Sequence, residues 1–192
     1  MLKFGNSCQG LDPTKVAHEL TLETGVAWGS GEHATTRLCC SWLRTHLSGT
    51  DTNTEARRIM DYGAGSGVLG ISALLFGAAE AVGVELMPDA VCEANANAKR
   101  NGVNFQCYHP SDPAVKELGN FDTLVANILA GPLVELVEEF VRLLRPGGAL
   151  ALCGIRDYQA DTIIEKYSVH FEDVRIQSQD QGWVLITAFR GK

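Results

Sequence analysis

The chain has 192 residues, 45% of them hydrophobic and 20% charged. That size and balance build a single domain with a substantial core and exclude fibrous, disulfide-stapled and disordered classes. Its 23 acids against 16 bases leave a formal charge of -7, which repels a polyanion unless the bases gather on one face, so direct nucleic-acid binding is disfavoured. No run reaches the roughly 20 apolar residues of a membrane span, and no basic-then-apolar leader opens the chain. Cysteines at 8, 39, 40, 92, 107 and 153 form no Cys-x-x-Cys and no metal-ligand spacing. The expectation is reduced, mostly buried thiols, no bound metal and a cytoplasmic protein.

In chain order, residues 1–22 lack a sustained period and carry Gly5, Gly10 and Pro13, the pattern of an arm or linker remnant before a domain at 23–192. Residues 35–47 place Leu38, Trp42, Leu43 and Leu47 near one helical stripe. A polar loop over 50–55 follows, then a strand at 58–62, a helix at 67–76 and a second strand at 79–86. Pro88 suits the first turn of the next helix, which runs to the helix-stop pair Asn101-Gly102. Strands at 105–108 and 121–127, a helix at 132–144 and a strand at 149–155 continue the alternation.

Such alternation predicts an α/β, three-layer, Rossmann-like fold around a mostly parallel sheet. After a helix over 157–167, strands at 171–177 and 183–189 flank a short Gly-containing turn. They predict an antiparallel hairpin that completes a seven-stranded sheet.

Between the first of these strands and its helix lies Asp61-Tyr62-Gly63-Ala64-Gly65-Ser66-Gly67, at the sheet edge where open α/β folds bind ligands. Gly65-Ser66-Gly67-Val68-Leu69-Gly70 also satisfies the dinucleotide pattern G-x-G-x-x-G, with Glu85 about 20 residues on. Three features favour S-adenosylmethionine as the ligand. Asp61 opens the loop with a carboxylate, which suits a ligand bearing ammonium and sulfonium charge better than a pyrophosphate. Asn127 brings an amide to the end of the fourth strand, followed by Ile128-Leu129-Ala130. The turn Leu143-Leu144-Arg145-Pro146-Gly147-Gly148 and the final hairpin match the way class I methyltransferases finish their sheet.

Glu85 reads as the acceptor for two ribose hydroxyls, or as an exposed strand-end acid. Leu86 and Met87 flank the adenine or belong to the core. Ser111-Asp112 either meets the adenine amino group or forms a turn.

A second glycine-rich segment, Gly29-Ser30-Gly31-Glu32-His33-Ala34-Thr35-Thr36, enters the first helix. Together with the loop at 61–67, Asn127-Ile128-Leu129-Ala130 and the Arg-Pro-Gly-Gly turn, it resembles the PrmA family, methyltransferases of the ribosomal stalk protein L-eleven. The resemblance runs from about residue 20 to the end. It implies a class I fold and methyl transfer from S-adenosylmethionine to lysine side chains and the N-terminal amine of a basic ribosomal protein. It also implies cofactor contacts at Thr35 or Thr36, Gly63, Glu85 and Asn127, alongside Asp61, Gly65, Leu86 and Asp112 from the site reading above.

Trp28, Ser30, Thr24 and Glu85 stand where the family usually carries Phe, Thr, Pro and Asp. The family's N-terminal substrate-recognition domain is expected to be missing. His33 is the candidate base, or instead closes the loop through backbone hydrogen bonds. Asn127 positions the amine or contacts the cofactor, and Trp28 walls the amine channel or packs. Two competing functions stay open: a methyltransferase for another protein or a small-molecule amine, and a non-catalytic cofactor-binding module.

Overall fold

The computed structural model describes residues 3–4, 19–23, 25, 31–48 and 57–191. Cys8, Thr24, Trp28, Gly29, Ser30 and the polar loop at 50–55 lie outside the described residues. Short strands β1 (Lys3–Phe4) and β2 (Glu19–Leu20) pair in parallel, apart from the main sheet. The remaining elements are α1 (Ala34–Leu47), β3 (Arg58–Tyr62), α2 (Val68–Leu75), β4 (Glu80–Val84), α3 (Pro88–Arg100), β5 (Phe105–Tyr108), α4 (Pro113–Glu117) and β6 (Phe121–Asn127). They continue with α5 (Ala130–Glu135), α6 (Val137–Leu143), β7 (Leu144–Arg156), α7 (Ala160–Tyr167), β8 (Phe171–Asp180) and β9 (Trp183–Arg190).

Seven strands form one sheet in the order β5-β4-β3-β6-β7-β9-β8. The five from β5 to β7 run parallel, and β9 pairs antiparallel with both β7 and β8. This is the expected α/β sheet with its antiparallel hairpin.

Successive strand residues point to opposite faces, and here both faces are apolar. Met60, Val82, Leu124, Leu150, Leu152 and Ile186 enter one core with α5, α6 and α7. Ile59, Ala81, Val125, Ala151, Cys153 and Leu185 enter the other, with α1, α2 and α3. The second face is rich in small side chains, so helices approach it closely. A Cβ on Gly83 would stand 2.5 Å from Phe105 Cζ, and one on Gly70 would overlap the same ring. The two glycines form a slot for Phe105, which is 4% exposed.

Residues 20–23 join this side of the molecule. Leu20 is buried, and Asn97 and Asn101 of α3 hydrogen-bond the backbone of Glu23 and Thr21.

Helix α4 and the β1–β2 pair are not expected from the sequence, and three further elements differ from expectation. The helix expected over 132–144 is two helices meeting at Leu136, whose N–H is shared between Pro132 O at 3.1 Å and Leu133 O at 3.4 Å. Strand β7 begins at Leu144, not at 149, because Leu144 pairs with Phe121 and the Arg-Pro-Gly-Gly segment bulges out before Ala149 pairs with Thr123. The last helix starts with a 3-10 turn over Asp157–Gln159. The hairpin turn is Gln181-Gly182, with φ of 52° and 74°, the doubly left-handed geometry of a tight two-residue hairpin. Among the described residues no helix is long and apolar enough to cross a membrane.

Candidate functional site

Strands β4, β3, β6 and β7 all end at one sheet edge, and β9, running the other way, begins there. A cavity of about 780 Å³ opens along this edge, within the range of small-molecule sites. Its walls include His33, Thr35 and Thr36 from the start of α1, Gly63, Ala64 and Gly65 from the glycine loop, and Glu85 and Met87 after β4. Asn127 at the end of β6, Ile128 and Leu129 after it, Gly154 of β7 and Trp183 of β9 close the opposite end.

The loop amides show what kind of ligand the cavity suits. Gly63 N and Ala64 N both donate to Val84 O, at 2.7 and 3.1 Å, and Gly67 N donates to Ala64 O at 2.8 Å. Gly65 N donates to Glu85 Oε2 at 2.8 Å. A phosphate-binding loop keeps such N–H groups free for the anion, whereas these are engaged within the protein. A carboxylate stands at the rim instead. The glycine at 63 adopts φ 78°, and a Cβ there would overlap Ile128 Cγ2, so the loop depends on having no side chain at this point.

Glu85 is half-buried and fixed from two sides, by Gly65 N and by Met87 N at 3.0 Å to Oε1. A carboxylate has about four acceptor sites, which leaves capacity for two hydroxyls. Asp61 lies beneath the loop, 1% exposed and outside the cavity walls. Its Oδ2 accepts from Gly70 N at 2.8 Å, while Oδ1 is buried with no hydrogen-bond partner. Burial pushes its carboxyl up to about 7; the Gly70 bond opposes that shift and the Glu85 charge adds to it.

At the other end a polar chain runs across three elements. Asn127 Nδ2 donates to Thr35 Oγ1 at 3.1 Å, and Thr35 Oγ1 lies 2.8 Å from His33 Nδ1. Thr35 N also donates to that Nδ1, at 3.4 Å, so His33 is the N-cap of α1. With Nδ1 accepting from that amide, the ring N–H is on Nε2. The His33 ring meets Trp183 edge to face, with centroids 5.4 Å apart.

Of the residues expected at the site, His33, Thr35, Thr36, Gly63, Gly65, Glu85 and Asn127 share the cavity, and Asp61, Leu86 and Asp112 do not line it. Leu86 is 71% exposed, and the wall position belongs to its neighbour Met87. Asp112 accepts from Ala114 N at 2.9 Å and caps α4. Cys39, Cys40, Cys107 and Cys153 are buried, whereas Cys92 is exposed. Trp183 and Gly154 went unremarked in the sequence. No local pattern marks Trp183, while a glycine inside an apolar strand such as β7 is a recognised sign of close backbone approach. A Cβ on Gly154 would overlap the Ile128 carbonyl.

The sequence profile of the family described as "Ribosomal protein L11 methyltransferase (PrmA)" matches residues 8–191. The chain belongs to the PrmA family. Within it, the chain is 43% identical over 181 residues to a protein of Pseudomonas paraeruginosa named ribosomal protein L11 methyltransferase, covering 93% of this chain and 58% of that one. A Nitrosomonas europaea protein of the same name is 39% identical over 183 residues, covering 91% and 56%. The chain therefore spans somewhat under three-fifths of the length of these PrmA relatives. Among solved structures, the ribosomal protein L11 methylase of Lactobacillus delbrueckii subsp. bulgaricus superposes with a TM-score of 0.75 at 22% identity. It covers 96% of this chain and 91% of that chain, and carries the likeness of fold.

Proposed function

We propose that residues 23–192 form the catalytic domain of a cytoplasmic S-adenosylmethionine-dependent N-methyltransferase. It would methylate lysine side chains or the N-terminal amine of a basic ribosomal protein of the L11 type. The relatives' names support the acceptor. The observation that carries the cofactor is Glu85, held by the Gly65 and Met87 amides at the rim of a cavity whose loop N–H groups are already engaged. That arrangement favours a ligand with hydroxyls and positive charge over a pyrophosphate.

Strand spacing orients the ligand. Neighbouring strands lie about 4.8 Å apart, so the four intervals from β4 to β9 separate Glu85 from Trp183 by roughly 19 Å. Glu85 would hold the ribose hydroxyls, Met87 the adenine face, and Thr35, Thr36 and the Gly63–Gly65 backbone the amino-acid portion. The acceptor then belongs at the Asn127–Trp183 end. When bound, S-adenosylmethionine supplies a methyl carbon already activated by a positive sulfur.

The protein's share is chiefly to hold a neutral amine in line, and positioning of this kind contributes up to roughly 7–11 kcal/mol. Because Asn127 spends Nδ2 on Thr35, its Oδ1 is the end that accepts from an amine N–H. His33, whose Nδ1 lone pair accepts from Thr35 N and whose Nε2 carries the proton, has no free lone pair for the amine proton. It acts as a cap that fixes Thr35.

Calorimetry with S-adenosylmethionine and with NAD, followed by transfer of labelled methyl groups to purified ribosomal protein L11, tests this reading. The expected result is binding of the first ligand only, with label on the protein. NAD binding alone refutes the cofactor, and cofactor binding with no labelled amine leaves a binding module. Label on small amines but not on L11 moves the acceptor.

A further inference from the structure

Arg156 ends β7 and lays its guanidinium on the Trp183 ring, with Cζ 3.9 Å from the centroid. Its Nη1 reaches the Gln181 carbonyl at 3.4 Å. Among the described residues no carboxylate forms an ion pair with it, whereas nearby Arg37 is neutralised by Asp180 at 2.6 Å. A cation with no ion-pair partner among the described residues therefore stands against an aromatic wall of the cavity. Granted the acceptor end assigned above, an amine touching this ring within cation–π range lies within about 10 Å of the guanidinium carbon.

We propose that Arg156, acting through Trp183, is a positioning residue that keeps the acceptor amine in its neutral, nucleophilic form. A free lysine amine, with a pKa of about 10.4, arrives mostly as ammonium. A like charge nearby disfavours that form, and a guanidinium already on the ring weakens the ring's attraction for a second cation. The displaced proton goes to solvent. The nitrogen lone pair then forms the new N–C bond while the C–S bond breaks and leaves its electron pair on sulfur.

None of the other charged or titratable groups around this end forms an ion pair with Arg156 among the described residues. His33 is capped onto Thr35, Glu32 is exposed to solvent, and Asp180 is paired with Arg37. Asp157 Oδ1 accepts from Tyr158 N at 2.8 Å. Glu85 sits at the far end on two amides.

The test measures kcat at saturating ribosomal protein L11 and S-adenosylmethionine against pH for the full chain, in wild type, R156Q and R156K, because kcat reports ionisation within the bound complex. A unit charge at about 10 Å through an effective dielectric of about 25–50 moves the amine by about 0.5–1 pH unit. The rising limb of R156Q should shift upward by that amount, lowering kcat about 3–10-fold at pH 7 and rejoining wild type at high pH. R156K should follow the wild-type curve. An equal loss at every pH in both variants marks a packing role and overturns the proposal.

A second readout needs no turnover. Titrations followed by the Trp183 indole resonance should show tetramethylammonium binding R156Q about 3–10-fold more tightly than wild type, with neutral neopentyl alcohol unchanged. Equal tetramethylammonium affinities refute the role of Arg156. Loss of S-adenosylmethionine binding in wild type would instead refute the function proposed above, so the two failures are distinguishable.

Discussion

Asp61→Asn isolates the energetic consequence of burying a carboxyl group under the glycine loop. Burial raises the folded-state value from the ordinary 3.8 to about 7, against the single hydrogen bond from Gly70 N. The unfolded chain ionises this group above about 3.8, while the folded protein keeps the proton until about 7. The stability associated with the protonated group is therefore complete below the lower value and is lost as pH rises through the upper one.

Each pH unit in that window costs about 1.36 kcal/mol, so between pH 5 and pH 8 the wild type should lose about 3 kcal/mol from this group alone. The asparagine variant keeps an oxygen for Gly70 N and cannot ionise. Its unpartnered amide costs about 1–3 kcal/mol, but equally at both pH values. His46, pushed down to about 4 by burial and by Arg57, titrates alike in both proteins and cancels in the difference. Urea unfolding followed by circular dichroism at pH 5, 6, 7 and 8 should give wild-type and variant stabilities that converge or cross as pH rises. Parallel curves over that range would refute the assignment of a protonated Asp61.

Glu85→Gln should weaken S-adenosylmethionine about 10–100-fold by calorimetry, the loss of about 1.5–3 kcal/mol expected for hydrogen bonds to a charged acceptor. Phe105→Ala should cost about 3–5 kcal/mol in urea unfolding, because a ring 4% exposed fills the slot left by Gly70 and Gly83. A cost under about 1 kcal/mol, the scale of a well-tolerated core swap, would show that the slot collapses. Thr35→Val removes the hydroxyl shared by Asn127 Nδ2 and His33 Nδ1. It should lower kcat roughly tenfold or more through misplacement of Asn127, with Thr35→Ser restoring the rate.

The sheet was legible because its strands carry their signal locally. Runs such as Leu124-Val125-Ala126 and Leu150-Ala151-Leu152 are apolar on both faces, the pattern of a parallel strand covered by helices on each side. The early start of β7 was not legible. Arg145-Pro146-Gly147-Gly148 has every local mark of a turn, and only the pairing of Leu144 with Phe121 across the sheet makes it a bulge within a strand. At the site, Gly63, Gly65 and Glu85 were readable because a strand end fixes where they stand. The sequence marks Asp61 as a ligand-facing acid and Asp112 as either an adenine contact or a turn residue, whereas both carboxylates hold backbone amides, those of Gly70 and Ala114. A carboxylate before a helix suits either use, and nothing local decides which N–H it meets.

Trp183 was hidden for a topological reason. Parallel strands offer the ligand edge only their carboxyl ends, so a residue that begins a strand reaches that edge only if its strand is reversed. β9 is reversed, and the two-residue turn at Gln181-Gly182 delivers Trp183 directly opposite Arg156 in the β7–β9 ladder. Cross-strand neighbours of this kind contribute about 0.2–1 kcal/mol, little for the fold but enough to hold a guanidinium against a ring. Because side chains alternate along a strand, a one-residue slip of the hairpin would turn Trp183 to the other face of the sheet and take Arg156's aromatic partner with it. The tight turn therefore sets the cavity wall as well as the hairpin register: the positive φ angles at Gln181 and Gly182 hold the Trp183 end of the cavity in place.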